Sequence, residues 1–305
     1  MNWEVECQII SKGIRQRVLE HTINHGGYLS QACSSAEIFS ILYIKSMKLG
    51  PSEGSFSNHK FEGTPSVNNP HPQKGFLYNG AKNPDLDRFF LSPSHYALTL
   101  YAALIETKRL NDKSLKEFNK DGSVLDMIGS EHSPGHETNG GSFGQTISQA
   151  AGVAWARRRK KEKGLVWLFL SDGEFQEGQT WEALMSMAFH KISNLKIVVD
   201  VNGQQVDGKT CDVMNLEPLL EKISSFGACV KQVDGHDLVA LNNAFRTIHQ
   251  DKPLVVLAKT SPFRGMEILE KRYPFLHYVR SVSYTHLRAH ETPEHLVFRL
   301  MLEKK

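Results

Sequence analysis

The sequence lacks the features that would send it out of a reducing compartment or into a membrane. Its four cysteines, Cys7, Cys33, Cys211 and Cys229, are far apart and form no CxxC pair. Inert or buried thiols in a cytoplasmic protein are therefore expected, rather than a disulfide framework or a zinc site. Hydrophobic runs are short, the longest being about "LVWLFL", far below the length of a membrane span. The opening "MNWEVECQII" has neither the basic nor the apolar region of a secretory signal. Charge of one sign is also missing. With 36 Lys and Arg against 33 Asp and Glu, the formal charge of +3 is too small to argue for nucleic acid or an acidic membrane surface.

What remains is the composition of an ordinary globular chain, 40% hydrophobic and 23% charged. Its 305 residues suffice for one large α/β domain or two modest ones. Ile9, Ile10, Ile14, Val18 and Ile23 fall at near-helical spacing and end on "INHGG". A second helix follows at "SSAEIFSILYIKSMKLG", with Ser34 and Glu37 in capping-box spacing and Gly50 as a stop. Residues 50–84, dense in Gly, Pro, Ser and Asn, read as a long flexible surface loop. "DLDRFFLSPSHYALTLYAAL" gives a short strand, a turn and a helix from about Ser94. A glycine-rich stretch at 129–145 leads into a helix at about 146–163. From there strands at "GLVWLFL", "LKIVVDV", "CVKQVD" and "PLVVLAKT" alternate with helices, which implies a mostly parallel sheet with helices on both faces.

The last 25 residues change character. Val282–Thr292 reads Val-Ser-Tyr-Thr-His-Leu-Arg-Ala-His-Glu-Thr, which resembles one reading frame of a transposase sequencing adapter, and the match resumes at His295 with two departures, Phe298 and Met301. Residues 281–305 are therefore expected to be a non-native tail, leaving 1–280 as the functional region.

The chemistry centres on "LFLSDGEFQEG", residues 168–178, where an apolar run stops on a carboxylate followed by glycine. In open α/β sheets ligands bind beyond the carboxyl ends of the strands. Asp172 ends one strand and Asn202 ends the next, thirty residues on, so a right-handed crossover can bring both to one crevice. Carboxylate and amide oxygens suit Mg²⁺ or Ca²⁺, whose open positions are commonly filled by phosphate oxygens. Gly173 would let a phosphate approach the backbone. The plain alternative is an Asp-Gly turn.

"SDGEFQEGQTWEALMSMAFHKISNLKIVVDVNGQQ" resembles the thiamin-diphosphate motif, usually Gly-Asp-Gly and then Asn some thirty residues later, with the spacing and the Glu-Gly of the transketolase branch. "FFLSPSHYALTLYAAL", "PGHETNGGSFGQTISQAAGVAWA" and "VDGHDLVALNNAF…KPLVVLAKT" resemble further segments of that family in the same order. The resemblance implies the thiamin-diphosphate-binding fold, with thiamin diphosphate and Mg²⁺ (or Ca²⁺) as cofactors. It implies Asp172, Asn202 and the backbone carbonyl of Gln204 as metal ligands. Gly173, Gly141, Ser142, Phe143 and Asn202 would lie against the cofactor, with His95 beside cofactor and substrate. His132 would be a candidate substrate histidine, and His277 could match a late histidine of the domain.

Three departures stand out. Ser171 replaces the first glycine of Gly-Asp-Gly, and Thr146 replaces the last glycine of Gly-Gln-Gly. Tyr28 falls where the family carries a substrate-handling histidine, unless a three-residue shift brings His25 there. The second domain that transketolases need is absent from these residues. The resemblance therefore implies the N-terminal subunit of a split enzyme, or a longer chain cut at the tail. It would transfer a two-carbon ketol unit between sugar phosphates in carbohydrate (pentose phosphate) metabolism, with a C-terminal partner subunit in an α2β2 heterotetramer. The alternatives are another thiamin enzyme (a 2-oxoacid dehydrogenase α subunit or a deoxyxylulose-phosphate-synthase-like protein) and a non-catalytic paralogue.

Overall fold

A computed structural model describes residues 2–278 apart from His71 and Pro274; the tail at 281–305 lies outside the described residues. Helix α1 (Trp3–His25) starts on Asn2, whose side chain accepts the Glu4 amide, and ends at Gly26, which sits at φ 72°. Its buried stripe is Cys7, Ile10, Ile14 and Val18, one face of a 3.6-residue period, while Ile9 is exposed. Helix α2 (Leu29–Ile41) is buried along its whole length. It begins five residues before Ser34, the expected cap, because Gly26 and Gly27 turn the chain at positive φ. Ser34 and Glu37 instead lie within the helix. Their side chains reach distant partners, Asp200 for Ser34 and Arg15 with His236 for Glu37.

Five parallel strands form the sheet, in the order β1-β2-β3-β7-β6: β1 (Arg88–Leu91), β2 (Val166–Ser171), β3 (Leu195–Val201), β6 (Cys229–Asp234) and β7 (Leu254–Lys259). Between β3 and β6 a two-stranded hairpin, β4 (Gln204–Gln205) and β5 (Gly208–Lys209), precedes the short helix α6 (Thr210–Val213). Alternate strand residues feed two cores. Phe89, Trp167, Phe169, Val198 and Val256 pack towards α1, α2, α3 (Ala97–Glu106) and α8 (Leu238–Phe245). Phe90, Leu168, Leu170, Ile197 and Val255 pack towards α4 (Gln145–Arg159), α5 (Gly178–Phe189) and α7 (Leu219–Ser225). Burial on both faces explains why β2 reads as a continuous apolar run, as parallel strands do. β6, at the sheet edge, is largely polar and part-exposed.

Residues 50–84 contain little regular structure but make specific contacts. His59 Nε2 lies 2.7 Å from Ser114 Oγ, Tyr43 donates to Asn79 Oδ1 at 2.9 Å, and Arg109 Nη1 donates to the carbonyls of Gly50 and Tyr78. Among the described residues no helix is long and apolar enough to cross a membrane.

Candidate active site

The carboxyl ends of β2 and β3 are neighbours in register, Ser171 opposite Asp200. Asp172 opens a 3-10 turn (Asp172–Gln176) directly after β2, and Asn202 follows directly after β3. Asp172 Oδ2 accepts the Gly203 amide at 3.0 Å and the Thr210 hydroxyl at 3.2 Å, while Oδ1 accepts the Gly173 amide at 2.9 Å. Asn202 Oδ1 accepts the next amide, that of Gln204, at 2.9 Å. Both oxygens thus converge on the Gly203–Gln204 turn, which Gly203 closes at φ 69°. Gln204 is buried, and its Oε1 has no hydrogen-bond partner among the described residues. Over Gly173 a reciprocal amide pair forms, Gln176 with Gln205, and a Cβ at Gly173 would lie 3.0 Å from Gln205 Nε2.

A second acid, unassigned from sequence, completes the group. Asp200 is fully buried and accepts Ser34 Oγ at 2.6 Å, Tyr96 Oη at 2.7 Å, Asn202 Nδ2 at 3.2 Å and the Thr260 hydroxyl. Its signal was present in "LKIVVDV": the one acid in a mostly apolar strand, two residues from Asn202 and so on the same face. Burial, then the neighbouring Asp200 charge, pushes the Asp172 carboxyl up to about 7. Burial also raises Asp200, and its four donors oppose that rise.

This donor set fits a hard divalent cation. Two buried carboxylates, an amide oxygen and a tight backbone turn converge, and among the described residues neither carboxylate has a lysine or arginine partner. No cluster of three or more His, Cys, Asp or Glu side chains suited to a metal occurs among the described residues.

His95 lies at the start of α3, in the 3-10 turn Ser94–Tyr96, among aromatic rings. Tyr96 is 4.8 Å away by ring centroids, His277 4.9 Å, Tyr28 5.5 Å and Phe143 5.8 Å. Burial, then the nearby His277, lowers its pKa to about 3, so the ring is neutral. Tyr96 links the two groups: its hydroxyl donates to Asp200 and accepts from Asn202 Nδ2 at 3.0 Å. Gly141, Ser142 and Phe143 form the exposed loop before α4, with Gly141 at φ 95°. Of the two candidates for the first substrate-histidine position, Tyr28 is the ring against His95, while His25 is exposed and lies against His21, 4.8 Å away. Tyr28 also packs edge-on to His277 and Tyr278. His132 stands in a different set, with Asp126 Oδ2 at 2.6 Å, Ser130 and the Phe61 ring.

Ser171 has a use that glycine could not serve. Its side chain accepts the Glu174 amide while Glu174 accepts the Ser171 amide, a capping box over the Asp172 turn.

A parallel α/β sheet with buried hard-oxygen donors at adjacent strand ends and a neutral histidine beside them has the chemistry that a phosphorylated cofactor held through a divalent cation would need. Comparison with known proteins makes this specific. Residues 76–266 match the family described as "Transketolase, thiamine diphosphate binding domain". The chain is 35% identical over 266 residues to the uncharacterized transketolase family protein y4mO of Sinorhizobium fredii, covering 84% of this chain and 86% of that one. It is 28% identical over 278 residues to an apulose-4-phosphate transketolase subunit of Actinobacillus succinogenes, 90% and 91% of the two chains. With the 6-deoxy-6-sulfo-D-fructose transketolase subunit SqwG of a Clostridium species it shares 29% over 276 residues, 88% and 89%. Among solved structures, a Pichia stipitis transketolase aligns with TM-score 0.69 and 21% identity, over 90% of this chain but 38% of that one. The chain therefore belongs to the transketolase family and carries its N-terminal thiamin-diphosphate-binding domain.

Proposed function

We propose that the chain is the N-terminal subunit of a split transketolase-like enzyme, transferring a two-carbon ketol unit from a ketose or ketose phosphate to an aldose or aldose phosphate. The observation that carries this reading is the near-full-length similarity to two relatives named as transketolase subunits, against coverage of under two-fifths of an undivided transketolase. A C-terminal partner subunit would complete the site, in an α2β2 assembly.

Asp172 Oδ2, Asn202 Oδ1 and the Gln204 carbonyl would hold Mg²⁺, and Gly173 would admit the diphosphate. Thiamin diphosphate, when bound, supplies an electron sink for carbon–carbon cleavage. His95, kept neutral by burial, would hold a proton at a ring nitrogen and exchange it with a substrate oxygen. Tyr28, Phe143 and His277 would screen that nitrogen from water.

The test is reconstitution. The isolated chain is expected to show no ketol transfer and to gain it with its cognate C-terminal subunit, with Mg²⁺-dependent thiamin diphosphate binding abolished by Asp172→Ala. Full turnover by the isolated chain would refute the reading.

A further inference from the structure

Glu174 stands two residues beyond the proposed metal ligand and takes no part in the chemistry above, yet it is fully buried. No arginine, lysine or histidine pairs with it among the described residues. Its carboxylate instead accepts from two donors, one at the end of each of two strands. Oε1 accepts the Ser92 hydroxyl just after β1, and Oε2 accepts the Ser171 amide at 3.1 Å at the end of β2. The Gly144 amide at the head of α4 lies near enough to favour its charged form. Its own carbonyl accepts the Thr180 hydroxyl of α5 at 2.6 Å.

Each of these groups is a close chain neighbour of a site residue. Ser92 precedes His95 by three positions, Ser171 precedes Asp172 by one, and Gly144 follows Phe143 by one. A buried anion without a counter-charge is costly, so it persists only where hydrogen bonds offset its desolvation. Here those bonds tie the end of β1 to the end of β2 and set the carboxylate facing the head of α4. β1 and β2 are paired, but the Gly141–Phe143 loop belongs to neither strand.

We propose that Glu174 is a positioning residue: one carboxylate that sets the segments bearing His95, Asp172 and Phe143 against each other and so shapes the cofactor crevice. The cofactor part of this inference rests on the functional reading above; the bracing part does not.

Two substitutions and two measurements test it. Glu174→Ala removes both carboxylate acceptors and keeps the backbone carbonyl. Glu174→Gln keeps the volume and one acceptor oxygen, so it retains part of the brace. Hydrogen exchange on the chain without added cofactor is expected to show protection falling by about tenfold or more in the alanine variant at the Ser92, Tyr96 and Gln145 amides, which donate to the Phe169, Pro93 and Ser142 carbonyls. The glutamine variant is expected to lie between it and the parent, with β3 and β7 unchanged in both. In the reconstituted complex at saturating Mg²⁺, thiamin diphosphate is expected to bind about 10–100-fold more weakly to the alanine variant. Trp181, whose Nε1 donates to the Phe175 carbonyl within the same turn, serves as a fluorescence reporter. Unchanged local protection in both variants, or protection lost evenly across the sheet, would overturn the proposal. If the alanine variant does not fold, the glutamine variant decides between the same outcomes. A parent complex that binds no thiamin diphosphate would overturn the functional reading instead, and the exchange result would still decide the brace.

Discussion

Asn202 donates its amide nitrogen to Asp200 Oδ2 at 3.2 Å, and that bond decides which end of the amide is left for the crevice. With Nδ2 also held by Tyr96, Oδ1 turns to the Gln204 amide and the Asp172 side of the site. Asp200→Asn is therefore expected to weaken divalent-cation affinity by about 10–100-fold, as loss of a residue that orients a ligand commonly does. Asp172→Ala should abolish it. Manganese titration followed by electron paramagnetic resonance reads both. Parent-like affinity in Asp200→Asn would show that Asn202 needs no such support.

Tyr28 packs against His95, His277 and Tyr278 where an imidazole was expected. Tyr28→His should leave the melting temperature within a few degrees, since a half-buried ring replaces another. It should change the KM for the sugar several-fold while leaving thiamin diphosphate affinity nearly unaltered. Equal shifts in both constants would place Tyr28 at the cofactor instead of the substrate.

His136 is buried, its Nε2 has no partner among the described residues, and burial lowers its pKa to about 4. In the unfolded chain it titrates near 6.5. Between those values the unfolded state binds the extra proton, so this residue's contribution to stability rises with pH across the window and is fully present above 6.5. His136→Gln should reduce the pH slope of unfolding free energy there by about one proton, measured by denaturant titration from pH 4 to 7. An unaltered slope would mean the ring takes up its proton without unfolding. Asp172 and Glu174, both raised to about 7, act in the opposite sense over an overlapping range, so the comparison must be between variant and parent.

Two glycines test the packing of the irregular segment. A Cβ on Gly75 would meet the carbonyls of Ser133, Glu131 and His136 at 2.2, 2.8 and 2.8 Å, whereas one on Gly152 in α4 meets nothing within 4 Å. Gly75→Ala should destabilise by roughly 1–3 kcal/mol or more and Gly152→Ala should stabilise by roughly 0.5–1 kcal/mol. Thermal melts of the isolated chain would read both. A neutral Gly75→Ala would contradict the close seat of residue 75 against 131–136.

The strands that carry Asp172 and Asn202 were legible because burial on both faces leaves an uninterrupted apolar run, which few other structures produce. The start of α2 was not legible. Ser34 and Glu37 have capping-box spacing, but their partners Asp200 and His236 lie more than 150 residues away, and local pattern does not encode such pairings. The hairpin at 204–209 was not legible either, because two-residue strands leave no periodic trace. Residues 50–84 carry the composition of a surface loop, yet Tyr78, Asn79 and His59 are buried by Arg109, Tyr43 and Ser114, all distant in sequence. Whether Tyr28 or His25 meets His95 was undecidable from spacing, because two glycines at positive φ set the turn between them.

Asp172 and Asp200 are like charges enclosed together, a standing repulsion that a bound cation would remove. Any cation that binds only the folded chain adds to its stability by mass action, about 2.7 kcal/mol at a hundredfold excess over its dissociation constant. Proteases that cleave transiently opened chains respond to that same free energy. The supply of divalent cation would then govern how long each copy of the protein survives, before any question of turnover arises.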